Sequence, residues 1–413
     1  MAGITKSRLG NQTRRRRPSI KKETASTELN REINRDFLLT LIRQHRSVAR
    51  VDLARLSGLR NSTVSTIIDQ LLGEEWICEG SVKETARGRR PTMLSLNTSN
   101  ALLVADVHPG FAHFGVVDLN GELLLRKTVS LPRDAIGCFN EIADTLGNMR
   151  KAMPKMRFAG AGICVPGRVD PKTRRIVISP NLRWTGQDFQ SSISKQLRLP
   201  VEVENEANAS LLSELWFAGL SGVRNVVLIS ISDGVGAAIM AEGNLVRGRL
   251  GLAGEFGHII YDPAGPQCGC GRSGCWEMFA SSRGALRLYH ETLGSDPLPI
   301  SYAELCERAI AGDVPARKAI EGQALAIGRG LRMVQASLAP GLILLSGEVS
   351  GIWPIAKNII LRELETGLLG GRAPQLRLSS FGENAQLLGA AALVLQHHGT
   401  YYRAQGFAAI STA

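Results

Sequence analysis

The chain has 413 residues and a formal net charge of +12. That length exceeds one usual core, so two or three compact units are expected. No apolar run reaches the ~18–20 residues of a membrane span. The opening Lys6, Arg8 and Arg14 to Arg17 have no apolar stretch behind them, which excludes a secretory signal and points to the cytoplasm.

The charge is unevenly placed. Residues 1–100 hold 19 Lys and Arg against 10 Asp and Glu, so +9 of the surplus lies in the first quarter. A polyanion-binding module ahead of a near-neutral body has that pattern; a solvated basic tail would show it too. The seven cysteines are an odd set without framework spacing, and three of them cluster at 268–275. A tight cluster of this kind points to metal rather than to disulfides.

Residues 1–28 read as a disordered basic tail. Helical spacing of Ile33, Phe37, Leu38, Leu41 and Ile42 predicts a first helix over 29–45. A short second helix follows at 51–57, with Leu53, Ala54 and Leu56 inward, then a turn at Gly58. A third begins near Asn61-Ser62, either of which can cap it. Strands at 76–79 and 91–96 flank a polar wing, Gly80 to Arg90. The first unit is therefore a winged helix-turn-helix over 29–86, followed by a Gly-Arg linker or wing over 87–100.

From Ala101 strands and helices alternate, which predicts an α/β body of two lobes over 101–413. Strands are expected at 101–107, 111–118, 122–130, 157–165, 200–204, 226–231, 235–241 and 341–346. Helices are expected near 134–151, 206–218, 276–290, 301–311, 315–338 and 384–398. Lobe I takes about 101–220 plus the helix at 384–398; lobe II takes about 221–383.

Three groups of residues carry chemistry. Arg60, Asn61, Ser62, Thr63, Ser65 and Thr66 open the third helix, where small polar and basic side chains reach base edges and phosphates while Val64 and Ile67 face inward. A plain three-helix bundle shares this layout; the basic surplus and the Ser-Thr-x-Ser start favour DNA. Arg87, Gly88, Arg89 and Arg90 fit a narrow A·T-rich minor groove, or a flexible basic linker. His258 followed by Cys268, Cys270 and Cys275 supplies one imidazole and three thiolates, a closed tetrahedral zinc site of structural type, with Gly269, Gly271 and Gly274 permitting its turns. Beside that knuckle, Glu255 and Glu277 are acceptors for paired hydroxyls, and the second nitrogen of His258 can serve as donor. Asn205 and Glu206 lie where a strand runs into a helix, the usual ligand position in α/β sheets. Taken alone, Glu206 reads as a first-turn acid that suits the helix dipole.

These residues resemble the ROK family of repressors, open reading frames and sugar kinases, and its repressor branch in particular. The similarity covers about 29–400 and rests on Glu255-x-x-His258 followed by Cys268-Gly-Cys270-Gly-x-x-Gly-Cys275-x-Glu277. Gly162-x-x-Val165-Pro166-Gly167, Pro180-Asn181-Leu182-x-Trp184 and the Gly88-Arg89-Arg90-Pro91 linker match as well. The resemblance implies an actin-like (ribonuclease H-like) fold with ligand between the lobes. It also implies zinc on His258, Cys268, Cys270 and Cys275, and sugar contacts by Asn205, Glu206, Glu255, His258 and Glu277. It further implies a homodimer or homotetramer on an A·T-rich pseudo-palindromic operator, answering to a small sugar or sugar phosphate.

The departures from the kinases are on the nucleotide side. The first phosphate loop reads Asp106-Val107-His108-Pro109-Gly110-Phe111, without its glycine pair and with a proline that cannot donate. Ser232-Asp233-Gly234-Val235-Gly236 puts a carboxylate in the second loop. The late glycine pair reads Ser346-Gly347-Glu348, and Glu206 stands where kinases carry the catalytic Asp. The expectation is a regulator that binds sugar without turnover. The alternative is an active ATP-dependent sugar kinase with a fused DNA-binding module.

Overall fold

The structure is a computed structural model describing residues 27–82, 92–220, 222–294, 299–366 and 372–398. The Arg87–Arg90 segment lies outside the described residues. The N-terminal unit runs α1 (Thr27–His45), β1 (Val48–Ala49), α2 (Arg50–Ser57), α3 (Asn61–Gly73), β2 (Ile77–Val82) and β3 (Thr92–Leu96). Its strands pair antiparallel in the order β1-β3-β2. Leu38, Ile42, Leu53, Ile67, Ile68 and Leu71 bury the helices against one another.

Lobe I adds β4 (Asn100–His108), β5 (Phe111–Asp118), β6 (Leu123–Ser130), α4 (Ala135–Ala152) and β7 (Arg157–Val165). The short β8 (Arg168–Val169), β9 (Ile176–Ser179) and β10 (Trp184–Gln187) follow, then α5 (Phe189–Leu197), β11 (Val201–Asn205) and α6 (Glu206–Phe217). Lobe II contains β12 (Val226–Ile231), β13 (Val235–Ala241), β14 (Asn244–Leu245), α7 (Glu277–Ala280), α8 (Ser282–Leu293), α9 (Tyr302–Ile310) and α10 (Val314–Leu338). It continues with β15 (Leu342–Gly347), α11 (Trp353–Glu365) and β16 (Gln375–Leu378), before α12 (Ala385–His398) returns to lobe I.

The two five-stranded sheets follow one scheme, β11-β7-β4-β5-β6 and β14-β13-β12-β15-β16. In each, two pairings are parallel and two antiparallel, so that one strand, β5 or β13, runs against the other four. Parallel strands need coverage on both faces. In lobe I, α4 and α5 cover one face through Phe139, Ile142 and Phe189, and α12 covers the other. There Ala390 of α12 lies so close to Gly162 of β7 that a Cβ on the glycine would sit 1.9 Å from its carbonyl oxygen. Helix α6 lies between the lobes: Leu211, Leu212 and Leu215 pack with Leu228, Met240 and Leu344 of the lobe II sheet. Its Ala209 meets Gly389 of α12 backbone to backbone.

Several local expectations change. Helix α3 is capped by neither Asn61 nor Ser62: Arg60 is the N-cap residue and makes no side-chain cap bond. Leu56 is 42% exposed rather than inward, because only Leu53 and Ala54 of α2 face the bundle. The helix expected over 276–290 breaks at Ser281, which is extended and whose hydroxyl caps α8 by accepting from the Gly284 N–H.

Candidate metal centre and ligand cleft

The knuckle lies between β14 and α7. The ligand atoms of His258, Cys268, Cys270 and Cys275 all fall within 4.8 Å of one another. Cys268 Sγ is 3.6 Å from His258 Nδ1, and Cys270 Sγ is 3.6 Å from Cys275 Sγ. A tetrahedron with Zn–S bonds of ~2.3 Å has edges of about 3.8 Å, so the four donors fit a zinc ion. Gly271 and Gly274 hold φ of +89° and +73°, and a Cβ on Gly274 would lie 1.6 Å from the Asp262 carbonyl oxygen. Gly269 is different: it needs neither positive φ nor close approach. Burial pushes the Cys268 and Cys275 thiols up, and the Glu277 charge adds to both. Neutral thiols need no counter-charge, whereas the thiolate forms that ligate a metal would need a cation beside Glu277, and the four-donor set supplies a site for one.

The acidic pair expected beside the knuckle is there. His258 turns Nδ1 to the cluster and Nε2 to Glu255, 3.7 Å from its Oε2. Glu277, nearly buried, begins α7; its Oε1 accepts from the Cys268 thiol at 2.9 Å and lies 3.5 Å from His258 Nδ1. Gly257 packs its backbone on Val235 of β13, and Gly234 before β13 is in contact range of Glu277. At the other side of that loop, Gly236 faces Ala207 in the first turn of α6. Gly234 and the first residues of β13 thus lie between Glu277 and Ala207, the second residue of α6.

Asn205 is occupied by architecture. Its Oδ1 caps α6, accepting from the Ala207 N–H at 2.9 Å and the Asn208 N–H at 3.3 Å, while Nδ2 donates to the Gly167 carbonyl at 2.8 Å. Glu206 is half-buried. Burial, then the nearby Asp106 charge, raise its pKa from 4.5 to about 7, with His108 opposing.

The β4–β5 connection is a two-residue turn, Pro109-Gly110, with Gly110 at φ +84°. His108 stacks on Phe111 at 4.8 Å, and its Nε2 meets Asp106 Oδ2 at 2.8 Å. Burial opposes the imidazolium, yet the bond to Asp106 and the charges of Asp106 and Glu206 raise its pKa. Asp106 is 2% exposed, and its Oδ1 has no hydrogen-bond partner among the described residues. In the second loop, Arg283 Nε donates to the main-chain carbonyl of Asp233. Gly347, at φ +86°, closes on that loop: a Cβ would meet the Ile231 carbonyl oxygen at 2.4 Å.

Sequence reasoning missed an ion pair between the lobes. Arg247, after β14, donates to Glu204 at the end of β11 at 2.6 Å. The other Glu204 oxygen accepts from Asn208 Nδ2 and the Asn205 N–H, both at 3.1 Å. The available signal was Glu202 and Glu204 in an apolar strand, since buried acids need partners.

On the winged helix, the cap residue Arg60 is exposed, as are Asn61, Ser62 and Thr66 of α3, and Thr63 and Ser65 are half-buried. Gly58 in the left-handed region makes the α2–α3 turn. That leaves a polar helix start facing outward, with the geometry that a major groove accepts.

A winged helix seated on a two-lobed, actin-like body, with a knuckle of one histidine and three cysteines at its cleft, defines the class of protein. The ROK family model matches residues 111–397, and the MarR family model matches residues 34–78. The xylose repressor of Bacillus subtilis is 31% identical over 373 residues, 89% of this chain and 96% of the relative. A solved ROK family transcriptional regulator, a homologue of the Escherichia coli Mlc protein, superposes with a TM-score of 0.80 at 26% identity, covering 91% of this chain and 99% of that one. A Streptomyces griseus ROK glucokinase with glucose and AMPPNP bound has a TM-score of 0.64 at 29% identity, over 72% of this chain and 99% of its own. This chain belongs to the ROK family.

Proposed function

We propose that this chain is a sugar-responsive transcriptional repressor in which a sugar or sugar phosphate in the cleft alters the affinity of the winged helix for operator DNA. The observation that carries the reading is the pairing, in one molecule, of an outward polar α3 with a cleft edged by Glu255, His258 and Glu277. Glu255, Glu277 and Glu206 accept hydroxyl hydrogen bonds, and His258 Nε2 donates one. Asn205 acts through α6, whose first turn it caps. The residues that hold zinc are His258, Cys268, Cys270 and Cys275. Zinc held there would favour the thiolate forms of Cys268, Cys270 and Cys275; Glu277, whose Oε1 meets the Cys268 thiol, stays beside the four donors as an acceptor. The ion's place is structural, because the four protein donors complete a tetrahedral shell.

On DNA, Arg60, Asn61, Ser62, Thr63, Ser65 and Thr66 meet the major groove, and Arg87, Gly88, Arg89 and Arg90 reach the flanking minor groove. A homodimer or homotetramer places two α3 helices on an A·T-rich pseudo-palindrome. Phosphoryl transfer is not part of this reading: Pro109 and the His108–Phe111 stack occupy the first phosphate loop.

One observation favours the kinase alternative. Glu206, raised to about 7, sits in the range of a general base. Fluorescence anisotropy on genomic operator fragments, with and without a panel including xylose and glucose, tests the repressor reading. Specific binding that shifts with a sugar supports it; no specific site on any fragment refutes it. A coupled assay with ATP and the same sugars tests the alternative. Turnover of ~1 s⁻¹ or more, ordinary for an enzyme, would establish the kinase.

A further inference from the structure

The winged helix is docked on lobe I rather than tethered to it. The Glu75 carbonyl, just before β2, accepts from Asn97 Nδ2 at 2.9 Å and from Asn100 Nδ2 at 2.6 Å. The Glu75 carboxylate pairs with Arg157 at the start of β7. Just after α1, Arg46 approaches Glu122 in the β5–β6 hairpin at 3.9 Å. A further join, this one buried, is made by α6. The Arg43 guanidinium of α1 lies 4.1 Å from the centre of the Trp216 ring, in the last turn of α6. Arg43 is buried there. The neighbouring Phe217 packs on Gly121 of the same hairpin, so closely that a Cβ on the glycine would come within 2.5 Å of the ring.

The opposite end of α6 is the ligand end. Asn205 caps it, Glu206 opens it, and the Glu204–Arg247 ion pair ties that end to lobe II. In the last turn of α6, buried Glu214 binds the stretch leaving β16: it accepts from Ser379 Oγ at 2.7 Å, the Ser380 N–H at 2.6 Å and Ser380 Oγ at 3.0 Å. Twelve residues of helix span about 18 Å. A packed helix transmits displacement over that distance without bending, because its core contacts resist compression.

We infer that α6 is the lever that couples the cleft to the winged helix, with Glu204–Arg247 and Glu214 fixing it to lobe II and the Trp216–Arg43 stack as the joint to α1. Closing lobe II on a ligand pulls on α6 at two points, and among the described residues the Trp216–Arg43 stack is where α6 itself meets α1. Trp216 and Arg43 are therefore positioning residues for the response, remote from both ligands. The inference rests on the repressor reading and is tested apart from it.

The test compares operator affinity with and without saturating sugar in the full-length wild type and in Trp216→Leu, with sugar affinity followed by calorimetry. Coupling between distinct sites is typically 5–150-fold. For Trp216→Leu the coupling factor is expected to fall to less than a third of the wild-type factor, while sugar affinity and sugar-free operator affinity stay within threefold of wild type. Arg43→Met, which keeps the apolar stem, is expected to lose coupling likewise, and Trp216→Phe to retain most of it. Should Trp216→Leu not fold, the Arg43→Met and Trp216→Phe pair decides by the same criterion. Coupling within twofold of wild type in Trp216→Leu or, if that variant does not fold, in Arg43→Met, overturns the lever and leaves the repressor reading standing. A wild type that binds sugar and operator independently removes both.

Discussion

The two corners of the cleft are built on opposite principles. At the knuckle, glycines in the left-handed region let the backbone fold back on itself, and four donors converge with two carboxylates beside them. At the β4–β5 turn, Pro109 removes an amide donor and His108 satisfies itself on Asp106 and Phe111. The first corner is left with several polar groups to offer; in the second, His108 is taken up by Asp106 Oδ2 and Phe111, and Asp106 Oδ1 is left without a partner among the described residues. Recognition of hydroxyls needs only acceptors and donors held in place, whereas holding a triphosphate needs a row of free backbone amides. One corner can therefore be dismantled while the other keeps its chemistry.

Breaking the knuckle has the largest expected effect. Cys275→Ser, or exhaustive chelation, should release about one zinc per chain by mass spectrometry and abolish sugar binding. Even ~3 kcal/mol of lost support lowers Tm by roughly 6–12 °C in a domain of this size. A protein purified free of zinc, with unchanged Tm after chelation, would break the comparison at its stronger corner.

Next comes Glu255→Ala, which removes an acceptor without touching the four donors. Charged hydrogen bonds are worth ~1.5–3 kcal/mol, so sugar affinity should fall roughly 10- to 150-fold by calorimetry while operator affinity holds. Regulation that survives this change would mean that the cleft is not the sensor. On the DNA side, Arg60→Ala or Ser62→Ala should weaken operator binding by ~1–3 kcal/mol with sugar affinity unchanged. Arg89→Ala should weaken A·T-rich sites preferentially. An equal loss on all sequences would reduce that contact to phosphate alone.

The smallest effect sharpens the other corner. Burial and Asp106 raise Glu206 from 4.5 to about 7, so the folded state holds that proton more tightly than the unfolded chain. Its contribution to stability is complete below pH 4.5 and lost as pH rises through about 7. Glu206→Gln should therefore match wild type in Tm near pH 4.5 and exceed it at pH 8. Parallel Tm curves across that range would place the carboxylate in a solvated setting instead.

Much of this was legible in the sequence because it is local. Val226–Ile231 and Val235–Ala241 form the strands that their apolar runs predict, and the Cys-x-Cys spacing brings its sulfurs together. What was not legible is mostly tertiary. Helices α5 and α11 stand outside the sequence expectations: α5 is only nine residues long with Ser191, Ser192 and Ser194 among them, and the Pro354 start of α11 is a helix-opening signal left unread. The α3 start carried two good capping residues, yet the chain places Arg60 at the cap and spends Asn61 and Ser62 on the exposed face. The Glu204–Arg247 pair joins residues 43 apart in sequence, and the Arg43–Trp216 stack joins two different units. No periodicity encodes either, although buried acids in a strand were a hint.

The most direct test of a cleft that senses sugar on behalf of DNA is a calorimetric sugar titration of the full-length protein, run with and without saturating operator. The account predicts two different sugar affinities, their ratio equal to the change that saturating sugar produces in operator affinity. A single sugar affinity in both titrations would contradict it.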